Sequence, residues 1–215
     1  MFRDRAEAGL RLAEELKKKH LQNVVVLCIP RGGAVVGAVV AEELNAGLEI
    51  VAPRKIGSPA NPEVAIGAVA QDGSTFLNEN IIARLGIDKK TLESLIKEAV
   101  KEIERRVKGY RGTASYPDFR KKTVVLVDDG AATGYTMLAA ARFARETLRP
   151  ERLIIAVPVA PPETLGLFRQ EADEVVCPVS PDPFYAVGQF YADFEQTSDG
   201  EVLAIIKKFS RGGGT

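Results

Sequence analysis

Continuous apolar runs alternate with amphipathic segments along most of the chain. A β-branched run such as 24–29 fits a strand that is buried on both faces, as strands of a parallel sheet are. Segments such as 88–108 carry apolar residues at helical spacing on one face. The predicted strands are 24–29, 48–52, 124–127, 153–157 and 174–177, and the predicted helices are 3–20, 34–44, 88–108, 137–147, 163–170 and 201–208.

This alternation predicts an α/β fold, a doubly wound and mainly parallel sheet flanked by helices. The turn signal Asp72-Gly73 divides 65–77 into a β-hairpin, and 53–63 is expected to be a long polar loop. Ligands of such sheets bind beyond the carboxyl ends of the strands. The loops after the first, second and third buried strands are therefore expected to converge on one crevice.

Composition and charge exclude several classes of function. The 215 residues include 29 Lys plus Arg and 29 Asp plus Glu, so no net field draws the chain to nucleic acid or to a membrane. No apolar run approaches the ~20 residues that cross a bilayer. The charged start, 1–5, lacks the apolar core of a signal sequence, which predicts a cytoplasmic protein. Cys28 and Cys177 lie among apolar residues and predict buried free thiols.

The strongest candidate site is 124–136, where an apolar run ends in Asp128-Asp129 and small residues lead into a helix. Small residues let backbone N–H groups close around a phosphate, and the helix N-terminus favours its charge. Thr133 and Thr136 add hydroxyl donors, and the carboxylates suit ribose hydroxyls or a magnesium ion. The alternative is a solvated strand end followed by an ordinary helix N-cap. A Walker loop is excluded because Gly-Lys-Ser/Thr is absent, and no G-x-G-x-x-G follows a strand.

This segment resembles the 13-residue fingerprint of type I phosphoribosyltransferases, which is an apolar strand, two acidic residues and a Thr-Gly-x-Thr/Ser phosphate loop. The chain departs from the family at Gly130 and Ala131, where branched apolar residues are usual. The resemblance implies that Asp128 and Asp129 hold the ribose hydroxyls of phosphoribosyl pyrophosphate (PRPP), together with Mg²⁺ as the cofactor. It assigns the 5-phosphate to Ala131, Ala132, Thr133, Gly134, Tyr135 and Thr136.

Two further turns resemble the pyrophosphate side of the family's site. Arg31-Gly32-Gly33 follows the first predicted strand, where the glycines can aim N–H groups at an anion and Arg31 adds a bidentate donor. It resembles the family's pyrophosphate loop, which often contains a strained peptide bond, and the alternative is a plain strand-to-helix turn. Arg54 and Lys55 end the second strand, where orotate-type members have Arg-Lys, and the alternative is a solvated basic turn. Catalysis is expected from Arg31, Arg54 and Lys55, through stabilisation of charge on the leaving pyrophosphate.

The loop 56–68 resembles the flexible lid that closes over the reacting centre and excludes water. Five of its thirteen residues are Gly, Pro or Asn, so we expect it to be the most mobile internal segment. No general base is assigned, and Glu63 in this lid is a candidate. The single histidine, His20, is expected to be a charge partner at a helix end.

The tail after residue 178 is irregular and aromatic, and it resembles the hood of purine-type members. Phe184 and Tyr185 offer a stacking face for a flat base, and Asp193 stands near the place of a metal-binding aspartate, with a spacing from Gly188 one residue longer than in the family. The alternative is that these aromatics cap the core. The resemblance implies a single domain over 1–215, with a core at 22–177, a helical insertion at 79–110 and a hood at 178–209 that includes the N-terminal helix.

The predicted reaction is Mg²⁺-dependent transfer of a phosphoribosyl group between PRPP and a nitrogen base, as in nucleotide salvage. The base stays open, because Ala132 stands where members that use hypoxanthine and guanine have a proton-exchanging aspartate, and adenine- and uracil-type members look more similar. A regulatory module that binds PRPP or a nucleotide, and a hydrolase of a phosphorylated ribose, stay open as alternatives. Arg31, Arg54 and Lys55 favour turnover, because a nucleotide sensor does not need cations on the leaving-group side. The expected partners are small molecules, and the sequence does not determine whether the protein is a homodimer.

Overall fold

The computed structural model describes residues 1–62, 64–113 and 115–212. The strands are Val24–Cys28 (β1), Gly47–Ile50 (β2), Arg54–Gly57 (β3), Ala65–Val69 (β4), Thr75–Leu77 (β5), Thr123–Val127 (β6), Arg152–Ala156 (β7) and Glu174–Val176 (β8). The helices are Arg5–Lys17 (α1), Gly32–Glu43 (α2), Glu79–Arg84 (α3), Lys89–Arg111 (α4), Tyr135–Phe143 (α5), Pro162–Glu171 (α6) and Asp199–Gly212 (α7). A π-helical turn, Ala144–Leu148, extends α5, and a 3-10 turn spans Val187–Phe190. Within these ranges, no helix is long and apolar enough to cross a membrane.

The main sheet is parallel, with the strand order β2-β1-β6-β7-β8. Cys28 lies beside Val127, and Val127 lies beside Ala156, so the carboxyl ends of β1, β6 and β7 are level. Residues Val124 to Val127 are wholly buried, as expected for a strand covered on both faces. The sheet confirms the predicted fold class and brings the loops after these strands to one edge.

Alternate residues of the central strands pack against helices on opposite faces of the sheet. On one face α5 and α6 cover one set of strand residues, and on the other α1 and α2 cover the next set. The first face contains Leu27, Leu126 and Ile155 with Met137, Phe143 and Phe168, and the second contains Val26, Val125 and Ile154 with Leu12, Val36 and Val40. Each large buried side chain contributes roughly 1.5–3 kcal/mol of transfer free energy, which makes this layered core a rigid base for the edge loops.

A second, antiparallel sheet, β3-β4-β5, packs against α4. Its β4-β5 hairpin was predicted from the turn at Asp72-Gly73. The prediction of a polar loop at 53–63 was wrong in part, because Arg54–Gly57 forms β3 and pairs with β4. In β3 only Ile56 is buried, so the strand lacks the alternation of apolar and polar residues by which a strand is predicted from sequence. Pairing with β4 stabilises this strand instead. Helix α3, of six residues, is likewise too short to give a periodic signal.

The strand pairing shortens the segment that can act as the predicted lid. Residues 56–57 and 65–68 lie in β3 and β4. Glu63 lies outside the described residues, and the segment 58–62 is the described part of the connection before it. This segment forms its own turn, in which the Ser58 Oγ donates to the Asn61 carbonyl at 2.9 Å.

We expect amide hydrogen exchange in 58–62 of the free protein to be faster than in β4, because exposed turns open more readily than paired strands. PRPP with Mg²⁺ should slow it. Mass spectrometry of overlapping peptides can measure both effects, with a peptide from the hairpin turn at 71–73 as a control that should not respond. Equal protection of 58–62 and β4 in the free protein would contradict the lid.

The start of the chain pairs with the aromatic tail, residues 178–198. The Phe2 N–H donates to the Phe190 carbonyl at 2.7 Å, and the Ala192 N–H donates to the Phe2 carbonyl at 2.8 Å. The Phe2 and Tyr191 rings lie 5.3 Å apart, and both residues are buried. Helix α1 and the aromatic tail are thus joined.

Candidate functional site

The acidic pair, Asp128 and Asp129, lies immediately beyond the carboxyl end of β6. The Asp128 Oδ1 accepts the Asp129 N–H at 2.8 Å, and the hydroxyl of Tyr191 donates to the Asp129 carbonyl oxygen. Burial raises the pKa of Asp128 well above its usual range, and the neighbouring charge of Asp129 adds to that rise. Burial also raises the pKa of Asp129. Two neighbouring, partly buried carboxyls are unfavourable as ions, and carboxyls perturbed in this way are typical of functional sites.

The guanidinium of Arg5 opposes the rise in the pKa of Asp129. Its Nε donates to the Asp129 Oδ2 at 2.7 Å, and the two side chains are 13% and 15% exposed. This contact lowers the pKa of Asp129 against the larger effect of burial. The sequence analysis missed Arg5, because the pair joins positions 124 residues apart and Arg5 lies in an amphipathic helix with many charges.

The glycines after β1 lie against the acidic pair. A Cβ atom at Gly32 would stand 1.9 Å from the Asp129 Oδ2, and one at Gly33 would stand 2.7 Å from the Asp128 Oδ1. Any larger residue at these positions would collide with the carboxylates. The bond between Pro30 and Arg31 is a cis peptide. The structure therefore brings Gly32 and Gly33 to Asp128 and Asp129, as the topology predicted.

The loop that follows the acidic pair leads into the N-terminus of α5. Gly134 has φ +74°, and a Cβ there would lie 2.6 Å from the Phe168 ring, so the turn requires glycine. Within the described ranges, no acceptor is found for the backbone N–H groups of Ala132, Thr133 and Gly134. Ala132 and Thr133 are exposed. Donors without partners at a helix N-terminus form a suitable site for a phosphate.

Crystals soaked in sulfate or phosphate are expected to show an anion bound by the backbone of 132–136. The N–H groups without partners and the positive end of α5 both favour this place. A difference map measures the result directly. An ordered anion elsewhere, with this loop empty and turned to solvent, would contradict the phosphate site.

The side chain of Tyr135 points from this loop towards the second sheet. Its ring stacks on Phe76 at 5.6 Å between centroids, and its hydroxyl oxygen lies 2.5 Å from the Nδ2 of Asn78. Asn78 in turn caps α3 through the Ile81 N–H. Tyr135 therefore ties the loop to the second sheet, which leaves its backbone for the predicted phosphate contact.

A cavity of about 480 Å³ opens between the predicted phosphate loop (131–136), the start of α6 and the aromatic tail. Ala132 and Thr133 line it together with Phe184 and Tyr185, and Tyr185 is 81% exposed. The structure thus brings Ala132 to the two predicted stacking residues, Phe184 and Tyr185. The remaining lining residues are Pro161, Pro162, Glu163, Thr164, Leu167 and Asp182, and Tyr135 also borders the cavity. A larger cavity of about 580 Å³, next to Tyr116 and Phe119, includes neither the acidic pair nor the phosphate loop.

The structure also gives a physical reason for the departure at Gly130. This residue has φ +154°, and a Cβ there would lie 2.5 Å from the Cγ1 of Val187 in the aromatic tail. The Ala131 N–H donates to the Val159 carbonyl at 3.0 Å. A branched residue at 130 would push the aromatic tail away, so Gly130 lets the tail pack on the loop.

The structure places the predicted cations apart from the acidic pair. The Arg31 Nη1 lies 3.9 Å from the Asp199 Oδ1 at the start of α7, and the Arg54 Nη1 lies 3.6 Å from the Glu102 Oε1 of α4. Lys55 is exposed and lines a groove of about 300 Å³ with Arg54. Their role at the pyrophosphate stays a prediction that requires movement of these side chains. The candidate base Glu63 lies outside the described residues.

Asp193, the predicted metal ligand, lines a hollow of about 350 Å³ with Asp4, Arg5 and Glu195. In the described ranges, no group of three or more His, Cys, Asp or Glu side chains could hold a metal ion. The oxygens of Asp128 and Asp129 are ligands of the kind that Mg²⁺ prefers. Mg²⁺ usually binds one or two carboxylates and completes its shell with substrate oxygens and water. The acidic pair fits that mode, with the substrate supplying the other ligands.

Comparison with known proteins places these features in a family. Residues 4–195 match the family model of the phosphoribosyl transferase domain. Two proteins from two strains of Mycobacterium tuberculosis, provisionally named as phosphoribosyl transferases, are 38% identical over 211 residues, which is 98% of this chain and 47% of theirs. The chain thus spans about half the length of these curated relatives. The crystal structure of a protein from Thermus thermophilus, TT1426, is 39% identical and has a TM-score of 0.81, over 97% of this chain and 99% of that one.

Proposed function

Because the chain belongs to the family of phosphoribosyl transferase domains, we propose that it transfers a phosphoribosyl group between PRPP and a nitrogen base. In this reaction carbon 1 of the ribose gives up its bond to a pyrophosphate oxygen and forms a bond to a base nitrogen. Pyrophosphate leaves with the electron pair of the broken bond, and the base nitrogen loses a proton. In the reverse direction pyrophosphate displaces the base.

One observation carries the proposal. The acidic pair, the glycines after β1 and the phosphate loop meet at one edge of the sheet, where Gly32 and Gly33 contact Asp129 and Asp128. A ligand that carries a ribose with a phosphate on carbon 5 and an anion on carbon 1 matches these three features. We assign the ribose hydroxyls to the acidic pair, the 5-phosphate to 131–136 and the pyrophosphate to Arg31, Gly32 and Gly33.

Mg²⁺ fits the acidic pair in this proposal, and when bound it would neutralise charge on the pyrophosphate oxygens. The protein's own groups position the ribose between the acidic pair and the phosphate loop. Closure of the segment 58–62 would exclude water from a sugar carbon that develops positive charge. Arg54 and Lys55 are the first residues of β3, which leads into this segment, and movement of their side chains would bring them to the leaving group.

The cavity beside Ala132 is the proposed place of the base. Its lining includes the carboxylates Glu163 and Asp182 and contains no lysine or arginine among the described residues. Negative charge favours a neutral base that carries N–H donors over a base with a carboxylate. Glu163 and Asp182 thereby bear on which base the cavity accepts. Sequence reasoning missed both, because Glu163 looks like an ordinary acidic residue of a first helical turn.

A panel of bases with PRPP and Mg²⁺ tests the function, with release of pyrophosphate and formation of a nucleotide as the two readouts. We expect both to require a base. Release of ribose 5-phosphate in the absence of a base would support a hydrolase instead. Tight binding of PRPP without turnover of any base would support the regulatory module. The base-sized cavity beside Ala132 favours transfer over both alternatives.

A further inference from the structure

The partly buried side chain of Arg5 joins α1 to the acidic pair and to the aromatic tail. Its Nε donates to the Asp129 Oδ2 at 2.7 Å, and its Nη1 donates to the Glu195 carbonyl at 2.7 Å. Its guanidinium carbon lies 4.0 Å from the centre of the Phe194 ring. The side chain is 13% exposed. These contacts use separate arms of the guanidinium fork and its flat face, which a lysine ammonium cannot reproduce.

The ion pair lies directly against the glycine loop. A Cβ atom at Gly32 would stand 2.7 Å from the Arg5 Nε as well as 1.9 Å from the Asp129 Oδ2. Gly32, Asp129 and Arg5 are therefore in mutual contact. Loss of Arg5 would remove one of the contacts that hold the Asp129 carboxylate against Gly32.

Asp129 also needs a cation for an electrostatic reason. It is the immediate neighbour of Asp128, and its side chain is 15% exposed. In the described ranges, Arg5 is the cation that forms an ion pair with Asp129. Loss of Arg5 would leave two adjacent carboxylates without compensation in a poorly hydrated place. Their mutual repulsion favours another rotamer of Asp129, and that change moves an acceptor away from the ribose hydroxyl.

We propose that Arg5 is a positioning residue for ribose recognition, which acts through Asp129 and makes the ribose site depend on α1 and the aromatic tail. This inference rests on the proposed function, because it takes Asp129 as an acceptor for the ribose. Ligand binding and packing of the tail are then coupled, since Arg5 holds Glu195 and Phe194 with the same group that holds Asp129.

The test compares Arg5→Met and Arg5→Lys with a matched control, Arg111→Met. Arg111 makes the same kinds of contact away from the site: its Nε donates to the Glu49 Oε2 at 2.8 Å, its Nη1 donates to the Ser115 carbonyl at 2.8 Å, and it lies 3.9 Å from the centre of the Tyr116 ring. Its side chain is 7% exposed. Both methionine variants lose similar stabilising contacts, so a difference between them in ligand affinity isolates the effect at the site.

Calorimetry with PRPP and Mg²⁺ gives the dissociation constants. Arg5→Met should weaken PRPP binding about tenfold or more, as loss of an outer partner of a binding carboxylate often does. Arg5→Lys should recover part of the affinity, and Arg111→Met should stay within about twofold of the unsubstituted protein. In the background of Asp129→Asn, the change Arg5→Met should have little further effect, because Arg5 acts through Asp129.

The outcomes distinguish failure of the proposed role of Arg5 from failure of the proposed function. If the unsubstituted protein binds no PRPP, the proposed function fails and the inference falls with it. If that protein binds PRPP and Asp129→Asn weakens binding, but Arg5→Met and Arg5→Lys both bind normally or more tightly, the positioning role of Arg5 is wrong. Additive effects of Arg5→Met and Asp129→Asn would equally overturn a role through Asp129. If Arg5→Met does not fold, the PRPP affinity of Arg5→Lys is compared with that of the unsubstituted protein, and this comparison tests the positioning role of Arg5.

Discussion

Replacement of Asp128 and Asp129 together by asparagine is expected to abolish PRPP binding without unfolding the protein. A hydrogen bond to a charged group contributes about 1.5–3 kcal/mol, so loss of two such bonds corresponds to roughly 10²–10⁴-fold in Kd. The fold should persist because both residues lie beyond the end of β6 rather than in its core. The two partly buried carboxyls also have raised pKa values, so as ions they destabilise the folded state, and neutral asparagines remove that effect.

Calorimetry with PRPP and Mg²⁺ measures the affinity, and thermal unfolding measures the stability. Asp118→Asn is the control, because Asp118 precedes β6 at the opposite end of the strand and pairs with Arg120 at the surface. The control should bind PRPP normally. Unchanged affinity in the double variant would show that the ribose does not bind at this edge of the sheet. A large loss of stability instead would show that the acidic pair supports the fold.

The parallel core could be predicted from the sequence because its signal is local and repeated. The runs at 24–29 and 124–127 became β1 and β6, which differ from the prediction by one residue at one end. Burial on both faces selects β-branched residues along the whole strand, so the pattern and the structure have the same cause. β3 lacks such a pattern, because of Arg54–Gly57 only Ile56 enters the core.

The candidate site was predictable to the extent that chain order determines it. Parallel strands bring their following loops to one edge, so the order of strands and loops alone indicates that Gly32, Gly33 and the acidic pair meet. Arg5 could not be found in this way, because its place at the site depends on the packing of α1 against α2 and on the pairing of Phe2 with the aromatic tail. Glu163 and Asp182 meet at the cavity only through the packing of α6 and the tail.

We expect the choice of base to depend on Ala132, which lines the proposed base cavity. Hypoxanthine and guanine present a ring nitrogen that needs a proton partner as the glycosidic bond changes. A methyl group neither donates nor accepts a proton, and general acid–base help is typically worth about 10²–10⁴ in rate. Phe184 and Tyr185 offer stacking to any flat base, so they do not restore the distinction. Glu163 and Asp182 add negative charge, which disfavours the carboxylate of orotate.

We therefore expect hypoxanthine, guanine and orotate to be poor substrates beside adenine and uracil. Steady-state kinetics with the five bases at equal concentration gives kcat/KM for each. Ala132→Asp should raise kcat/KM for hypoxanthine and guanine. Ala132→Asn should not, because asparagine is as large as aspartate but cannot take up a proton. Because Ala132 is exposed, neither variant should disturb the core. If hypoxanthine or guanine gives the highest kcat/KM in the unsubstituted protein, another group supplies the proton, and Glu163 and Asp182 become the first candidates.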